Sequence, residues 1–342
     1  MKILYISELS PQLKNGGSYA AKRDLSILKQ HFDVEETGVF TKENSNIQKV
    51  KNLLFSKCPI LFSTKEVKAI ENKIKTSDCD VVFLCSSLLG YFAKYAKKCN
   101  KKVITYFQNC EYQLFKSCRS KFWYNKVFKQ EKLALEYSDL NLILNDRDLN
   151  ELKKVYNYNK DNYKFYPITM EDKLRSDIEI NDEKYGLFLG SWFRPNEIAV
   201  KYIIDNIADH INYKIKVIGY QFEKFDYKKH ENVEIIGTVD DMAEYIQNAS
   251  FMILPVFDGG GMKVKTCEAI MFGKHIIAST ESLEGYKLCD HIDVCNTEQE
   301  YIDAINNGNF NKFNEDVRML WKVNYSLEAA KKLLISVINS LK

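Results

Sequence analysis

Apolar residues in this chain fall in short runs separated by longer amphipathic stretches, the rhythm of strands alternating with helices. Residues 2–7 (KILYIS) open with a buried-strand pattern. A loop holding Pro11 and the Gly16-Gly17 pair then leads to a helix over 19–31, where Ala20, Leu25 and Leu28 fall near a 3.6-residue period. Residues 80–84 (DVVFL), 102–107 (KVITYF) and 140–144 (LNLIL) read as further strands. Helices are expected around 89–98 and over 146–156, the second capped by Asn145 or Asp146. Near Tyr166-Pro167 the pattern changes, and 171–184 is charged and poor in apolar residues, which predicts an interdomain linker. A second strand series follows: 185–189 (YGLFL), 214–218 (KIKVI) ending at Gly219, and 233–236 ending at Gly237. Between them lie the loop 190–196 (GSWFRPN), a helix over 197–207 with Ile198, Tyr202 and Ile203 facing inward, and a short helix around 241–247. The chain closes on 320–342, read as one helix with Leu327, Ala330, Leu334 and Val337 on a stripe. Strands and helices alternating in two series predict an α/β protein of two Rossmann-like parallel-sheet halves.

The densest pattern is 250–280, SFMILPVFDGGGMKVKTCEAIMFGKHIIAST. It reads as strand (251–255), breaker loop (Asp258, Gly259, Gly260, Gly261), helix (262–272) and strand (275–279). Glycines let the backbone come close to a ligand, and a helix N-terminus offers unpaired N–H groups and the positive end of a dipole. That combination is a seat for phosphate. Lys265 and Glu268 stand three apart and project to one side of the helix. A cation for a diphosphate and a carboxylate for sugar hydroxyls would suit a sugar nucleotide. On pattern alone, a structural βαβ unit with a solvated Lys–Glu pair accounts for the same residues. The Gly16-Gly17 pair is similarly ambiguous between a plain turn and a phosphate-facing loop, and the first strand is not followed by a full G-x-G-x-x-G.

Composition narrows the classes. The 342 residues suffice for two domains, and 45% hydrophobic with 13% aromatic content supports large cores. A formal charge of +3 gives no global case for nucleic-acid binding. The nine cysteines are scattered without a C-x-x-C pair, which fits reduced thiols in a cytoplasmic protein, and five dispersed histidines argue against a metal site. The apolar run at the N-terminus is too short for a signal-peptide core, and the longest uncharged stretch, 81–93, is too short to span a membrane. One local charge bias stands out. Residues 91–132 carry eleven Lys/Arg against two glutamates, with Phe115, Phe122, Trp123, Tyr124 and Phe128 interleaved. That mix suits peripheral contact with an anionic membrane at the inner face, and equally a solvated basic helix whose aromatics are core.

Three pieces of the second half together resemble the GT-B glycosyltransferases of the retaining family-4 type (glycosyl transferases group 1). Gly190-Ser191-Trp192 with Pro195-Asn196 is similar to the family's G-S-x-x-x-P-N, and Ile236-Gly237-Thr238-Val239 with Asp241 to its G-x-V-x-D. Pro255, Gly259, Gly261, Lys265, Glu268, Ala269, Gly273, Thr280, Glu284 and Gly285 follow its glycine-loop and K-x-x-E-A pattern. In the first half, Gly16-Gly17 falls where the family keeps a glycine loop under the donor phosphates. Gln108-Asn109-Cys110-Glu111 resembles its H-N-x-E, with glutamine in place of histidine. Gly260 stands where the first glutamate of the family's E-x7-E pair is usual, leaving Asp258 as the nearest carboxylate.

The resemblance implies an N-terminal acceptor-side domain over 1–168 and a donor domain over 185–318, facing a central cleft, with 319–342 crossing back as a C-terminal helix. It implies a nucleotide-diphosphate sugar as donor, UDP-sugar favoured, and a saccharide or lipid-linked saccharide acceptor in bacterial surface polysaccharide or glycoconjugate synthesis. The anomeric configuration would be retained, and neither metal nor cofactor would be required. Lys265 would hold the diphosphate together with Gly16, Gly17, Gly259, Gly260, Gly261, the amide of Met262 and Arg194. Glu268 would accept from the ribose, Gly219 and Tyr220 would lie by the base, and Gln108 and Asp258 by the sugar. Two rivals share the architecture: a sugar-nucleotide 2-epimerase, and a GT-B-like subunit that binds or scaffolds without catalysis.

Overall fold

The structure, a computed structural model, describes residues 1–7, 16–38, 56–58, 62–224 and 226–341. It divides into two compact units, Met1–Pro167 with Ala330–Lys342, and Ile168–Ala329. In the first unit β1 (Lys2–Ser7) leads to α1 (Gly16–His31), β2 (Asp33–Gly38), α2 (Thr64–Thr76), β3 (Val81–Leu84) and α3 (Gly90–Lys98). β4 (Lys102–Phe107), α4 (Glu111–Cys118), α5 (Lys121–Tyr137), β5 (Leu140–Ile143), α6 (Asp146–Tyr156) and β6 (Tyr163–Phe165) complete it. The strands lie parallel in the order β2-β1-β3-β4-β5-β6. The inner strands are buried along nearly their whole length, which is why VVFL and KVITYF read as continuous apolar runs.

The second unit repeats the plan with β7 (Tyr185–Leu189), α7 (Arg194–Tyr202), β8 (Lys214–Ile218), β9 (Val233–Gly237), α8 (Met242–Asn248), β10 (Phe251–Leu254) and α9 (Val264–Met271). β11 (His275–Ala278), β12 (Ile292–Val294), α10 (Glu298–Asn307), α11 (Glu315–Leu320) and α12 (Leu327–Asn339) follow. Its strands are again parallel, in the order β12-β11-β10-β7-β8-β9. Chain order reverses between β7 and β10, and open sheets of this kind bind ligands beyond the carboxyl ends of the strands at such a switch point. The α/β class and the two Rossmann-like sheets are as the sequence predicts.

Four local readings change. Helix α1 begins at Gly16, so Gly16 and Gly17 form its first turn instead of a loop ahead of it. First-turn amides need no intrahelical partner, and glycine's weak helix propensity costs least there. Ile198 is 47% exposed, and Ala199, Val200 and Ile203 take the inward positions. The last helix is broken: α11 runs into a π turn over Trp321–Tyr325, and Ser326 is extended. Ser326 bridges Met170, and its hydroxyl accepts from the Ala329 amide at 3.2 Å, so one residue both ends the turn and caps α12. The charged stretch after Pro167 is part of the second unit's packing. Asp172 pairs with buried Arg318, which also donates to the Met271 carbonyl, and the Arg175 amide donates to Gln247 at 2.9 Å.

Candidate functional site

The switch point of the second sheet is where β7 and β10 deliver their loops, and the residues gathered there come from GSWFRPN and the glycine stretch. Gly190 follows β7. A Cβ on it would lie 2.7 Å from Asn196 Nδ2 and 3.1 Å from Lys265 Nζ, so only glycine leaves room for those two groups. Gly219, after β8, has φ +135°, and a Cβ there would sit 1.5 Å from the Gly190 carbonyl oxygen. The two loops therefore close on each other through backbone alone, tied by Trp192 N–H donating to the Tyr220 carbonyl at 2.8 Å.

Lys265 lies in the first turn of α9 and is 9% exposed. Its ammonium donates to Asn196 Oδ1 and sits 4.4 Å from the centre of the Phe188 ring. Asn196 is in turn fixed by donating to the Ser191 carbonyl at 2.7 Å. An ammonium has three donors, and among the described residues Asn196 takes the single hydrogen bond that Lys265 makes. Burial pulls its pKa down to about 7, the Lys263 charge adds to that, and Glu268 opposes it. The amine is desolvated, incompletely bonded and short of a counter-anion.

The glycine loop next to it is shaped by Gly259 at φ +137° and Gly261 at φ +60°. Lys263 latches it, donating to the Gly261 carbonyl at 3.2 Å and to Glu281 at 2.5 Å, while its own carbonyl accepts from Tyr286 at 2.7 Å. No side chain caps the start of α9, which leaves its first amides for a ligand. Met262, between loop and helix, is buried.

Glu268, one turn further along α9, is 7% exposed. Its hydrogen-bond partner among the described residues is Lys173, at 3.0 Å. The pair lines a pocket of about 350 Å3 whose walls include Asp172, Arg175, Asp241 and Met242. Asp241 caps α8, accepting from the Ala243 amide at 2.9 Å, and its other oxygen takes the Arg175 guanidinium. One helix thus presents a cation towards Gly190 and Asn196 on the loop after β7, and a carboxylate towards a pocket.

Of the residues expected at the site, Gly219, Gly259, Gly260, Gly261, Met262, Lys265 and Glu268 lie on the carboxyl-edge loops or on the helix that follows them. Arg194, at the start of α7, and Asp258 are exposed and make no hydrogen bond or ion pair with described residues. Tyr220 is 60% exposed, with the Lys224 ammonium 5.9 Å from its ring centre. Gln108 belongs to the other unit, where its amide donates to the Cys85 carbonyl at 3.1 Å. Asn196, Phe188, Lys263 and Lys173 were not nominated from sequence. Asn196 was visible in its motif, whereas the other three carry no local signal because their partners lie elsewhere in the chain.

Residues 183–307 match the family described as glycosyl transferases group 1. No curated protein matches the sequence. Among solved structures, HepE (Alr3699) of Anabaena in complex with UDP aligns over 99% of this chain and 100% of its own, at 13% identity and a TM-score of 0.70. Sucrose-phosphate synthase of Thermosynechococcus elongatus aligns over 99% and 98%, at 13% identity and a TM-score of 0.73. A glycosyltransferase of Rickettsia africae aligns over 99% and 98%, at 12% identity and a TM-score of 0.62. Residues 183–307 thus match the glycosyl transferases group 1 family, and the two six-stranded parallel sheets share the GT-B fold with these solved structures.

Proposed function

We propose that the protein transfers a sugar, a hexose, from a UDP-sugar to a saccharide or lipid-linked saccharide acceptor, with retention of configuration and without a metal ion. The observation that carries this reading is the buried, under-bonded Lys265 amine beside a glycine loop and an uncapped helix start, three residues before a buried carboxylate. A diphosphate supplies the counter-anion that Lys265 lacks, and its oxygens can accept from the first amides of α9. Glu268, an acceptor-only group, receives the ribose hydroxyls. The HepE complexes with UDP and with UDP-glucose support UDP as the nucleotide.

In the reaction the bond from the anomeric carbon to the diphosphate oxygen breaks and the acceptor oxygen bonds to that carbon. The acceptor proton passes to the departing diphosphate on the same face. Negative charge grows on the leaving group, so donors already aimed at it stabilise the transition state more than the ground state. The contacts of Lys265 with Asn196 and Phe188 support that role. We assign the basic, aromatic surface of α4 and α5 to an anionic membrane at the inner face, as befits a lipid-linked acceptor in bacterial surface-polysaccharide synthesis. Phe122 is 45% exposed there, with the Lys126 ammonium over its ring. Other aromatics of the segment are packed, as where Phe128 stacks on Tyr156.

The test is a melting experiment with UDP, GDP and their sugars, followed by assay of UDP release. UDP should raise the melting temperature of the wild type and leave Lys265→Ala and Glu268→Ala unmoved. A melting curve that no nucleotide shifts, with both variants behaving as wild type, would overturn the transferase reading.

A further inference from the structure

The stretch after Pro167 reads as a polar connector, yet two of its cations point at the acidic walls of the 350 Å3 pocket: Lys173 at Glu268 and Arg175 at Asp241. Lys173 is not held by this pair alone. Its backbone amide donates to Met271 Sδ at 3.4 Å on α9, and its neighbours are pinned by Arg318 and by Gln247. The Gln247 amide returns a bond to the Arg175 carbonyl at 2.9 Å, so the segment is clamped at both ends of a two-residue span. The ammonium therefore arrives at Glu268 from a fixed backbone, although its side chain is half exposed.

Glu268 needs such a partner. A buried carboxylate without a donor is held in no one rotamer, and one turned away from the pocket cannot accept from sugar hydroxyls. Lys173 occupies one oxygen, Oε1, and leaves Oε2 free of hydrogen bonds among the described residues. We propose that Lys173 is a positioning residue for donor recognition: it holds the Glu268 carboxylate turned so that Oε2 and the remaining lone pair of Oε1 receive the two ribose hydroxyls. Lys173 thereby sets the preference for a ribonucleoside over a 2′-deoxyribonucleoside. This rests on the assignment of Glu268 to the ribose in the proposed function above. It adds a residue outside the matched segment 183–307 to the donor site.

The experiment is calorimetric titration of the full chain with UDP and with 2′-deoxy-UDP. Wild type should prefer UDP by roughly tenfold or more, the value of a hydrogen bond to a charged group. Lys173→Ala should lose most of that preference. Lys173→Arg should restore the preference. Melting temperature in the absence of ligand separates this from unfolding. If Lys173→Ala binds UDP more weakly but keeps the wild-type preference over 2′-deoxy-UDP, Lys173 does not position Glu268 and the inference is wrong. If wild type binds UDP but does not distinguish it from 2′-deoxy-UDP, the inference fails while a nucleotide site stands. If wild type binds neither, the donor-site reading fails and takes this inference with it.

Discussion

Two lysines nine residues apart occupy opposite ends of the same βαβ unit and are buried to nearly the same degree. Lys265 is at the carboxyl edge of the second sheet, after β10, and Lys274 is at the amino edge, just before β11. Burial lowers the pKa of each to about 7. Their hydrogen bonds differ. Lys274 donates to the carbonyls of Gln247 at 2.7 Å and Ala249 at 2.9 Å, and to that of Lys312, which matches three donors to three acceptors. Among the described residues Lys265 donates to Asn196 alone. Lys274 ties the end of α8 to the residues before β11, and Lys265 keeps donors unused among the described residues. Burial and a shifted pKa do not tell the two apart; the count of unused donors does.

The sharpest way to break that contrast is to remove each amine. Lys265→Ala should lower turnover by roughly a hundred- to a thousandfold, the usual cost of one preorganised charge-stabilising donor. Its unliganded stability should stay within about 1 kcal/mol of wild type, since a single hydrogen bond is lost and a desolvated amine is removed with it. Lys274→Met should do the reverse. Three carbonyls lose their donor in a buried setting, so unfolding free energy should fall by about 3 kcal/mol or more by urea titration, with nucleotide affinity of the folded fraction kept. Equal stability losses in the two variants would remove the distinction.

A smaller effect follows from protonation. In the free protein burial brings the Lys265 pKa down to about 7, so the amine is half neutral there and mostly neutral above it. Bound diphosphate favours the charged form and raises that pKa, so binding takes up a proton and UDP affinity should fall as pH rises past 7, approaching about tenfold per pH unit. The slope should flatten in Lys265→Met and be unchanged in Lys274→Met, as measured by calorimetry in buffers of differing ionisation enthalpy. The smallest effect concerns the other unit, where unused cations lie on the surface. Lys121→Ala beside Phe122 should weaken binding to phosphatidylserine vesicles at low salt by about fivefold, in line with roughly 1 kcal/mol per lysine near an anionic surface. Equal co-sedimentation of variant and wild type would remove the membrane assignment.

Buried carboxylates repeat the lesson across the two units. Glu131, on α5, accepts from the amides of Glu111 at 3.0 Å and Tyr112 at 2.8 Å, from Ser87 at 3.1 Å and from Tyr156 at 2.8 Å. It is consumed in anchoring the start of α4. Among the described residues Glu268 has Lys173 on one oxygen and no hydrogen-bond partner on the other.

The inner strands, the glycine loop and the Lys265–Glu268 spacing were legible in the sequence because each is a local pattern: a continuous apolar run, a breaker cluster, an i, i+3 pair. The strands that pattern reading passes over, β2 (DVEETG), β6 (YKF) and β12 (IDV), all lie at sheet edges. Edge strands are short and half solvated, so they need not be apolar. Ile198 was misplaced because the inward face of α7 is set by Ala199 and Val200, in line with Ile203, Ile204 and Ile207, so the larger Ile198 falls outside it. The sequence by itself determined the two parallel sheets and the helix that carries Lys265 and Glu268 after the glycine loop, since these follow from periodicity and backbone freedom within a few residues. Tertiary structure alone decided that Lys265 rests on Asn196 and Phe188, that Lys173 faces Glu268, and that Lys274 is satisfied while Lys265 is not. Those contacts join residues far apart in the chain, and no spacing rule can count the bonds a buried amine has left to make.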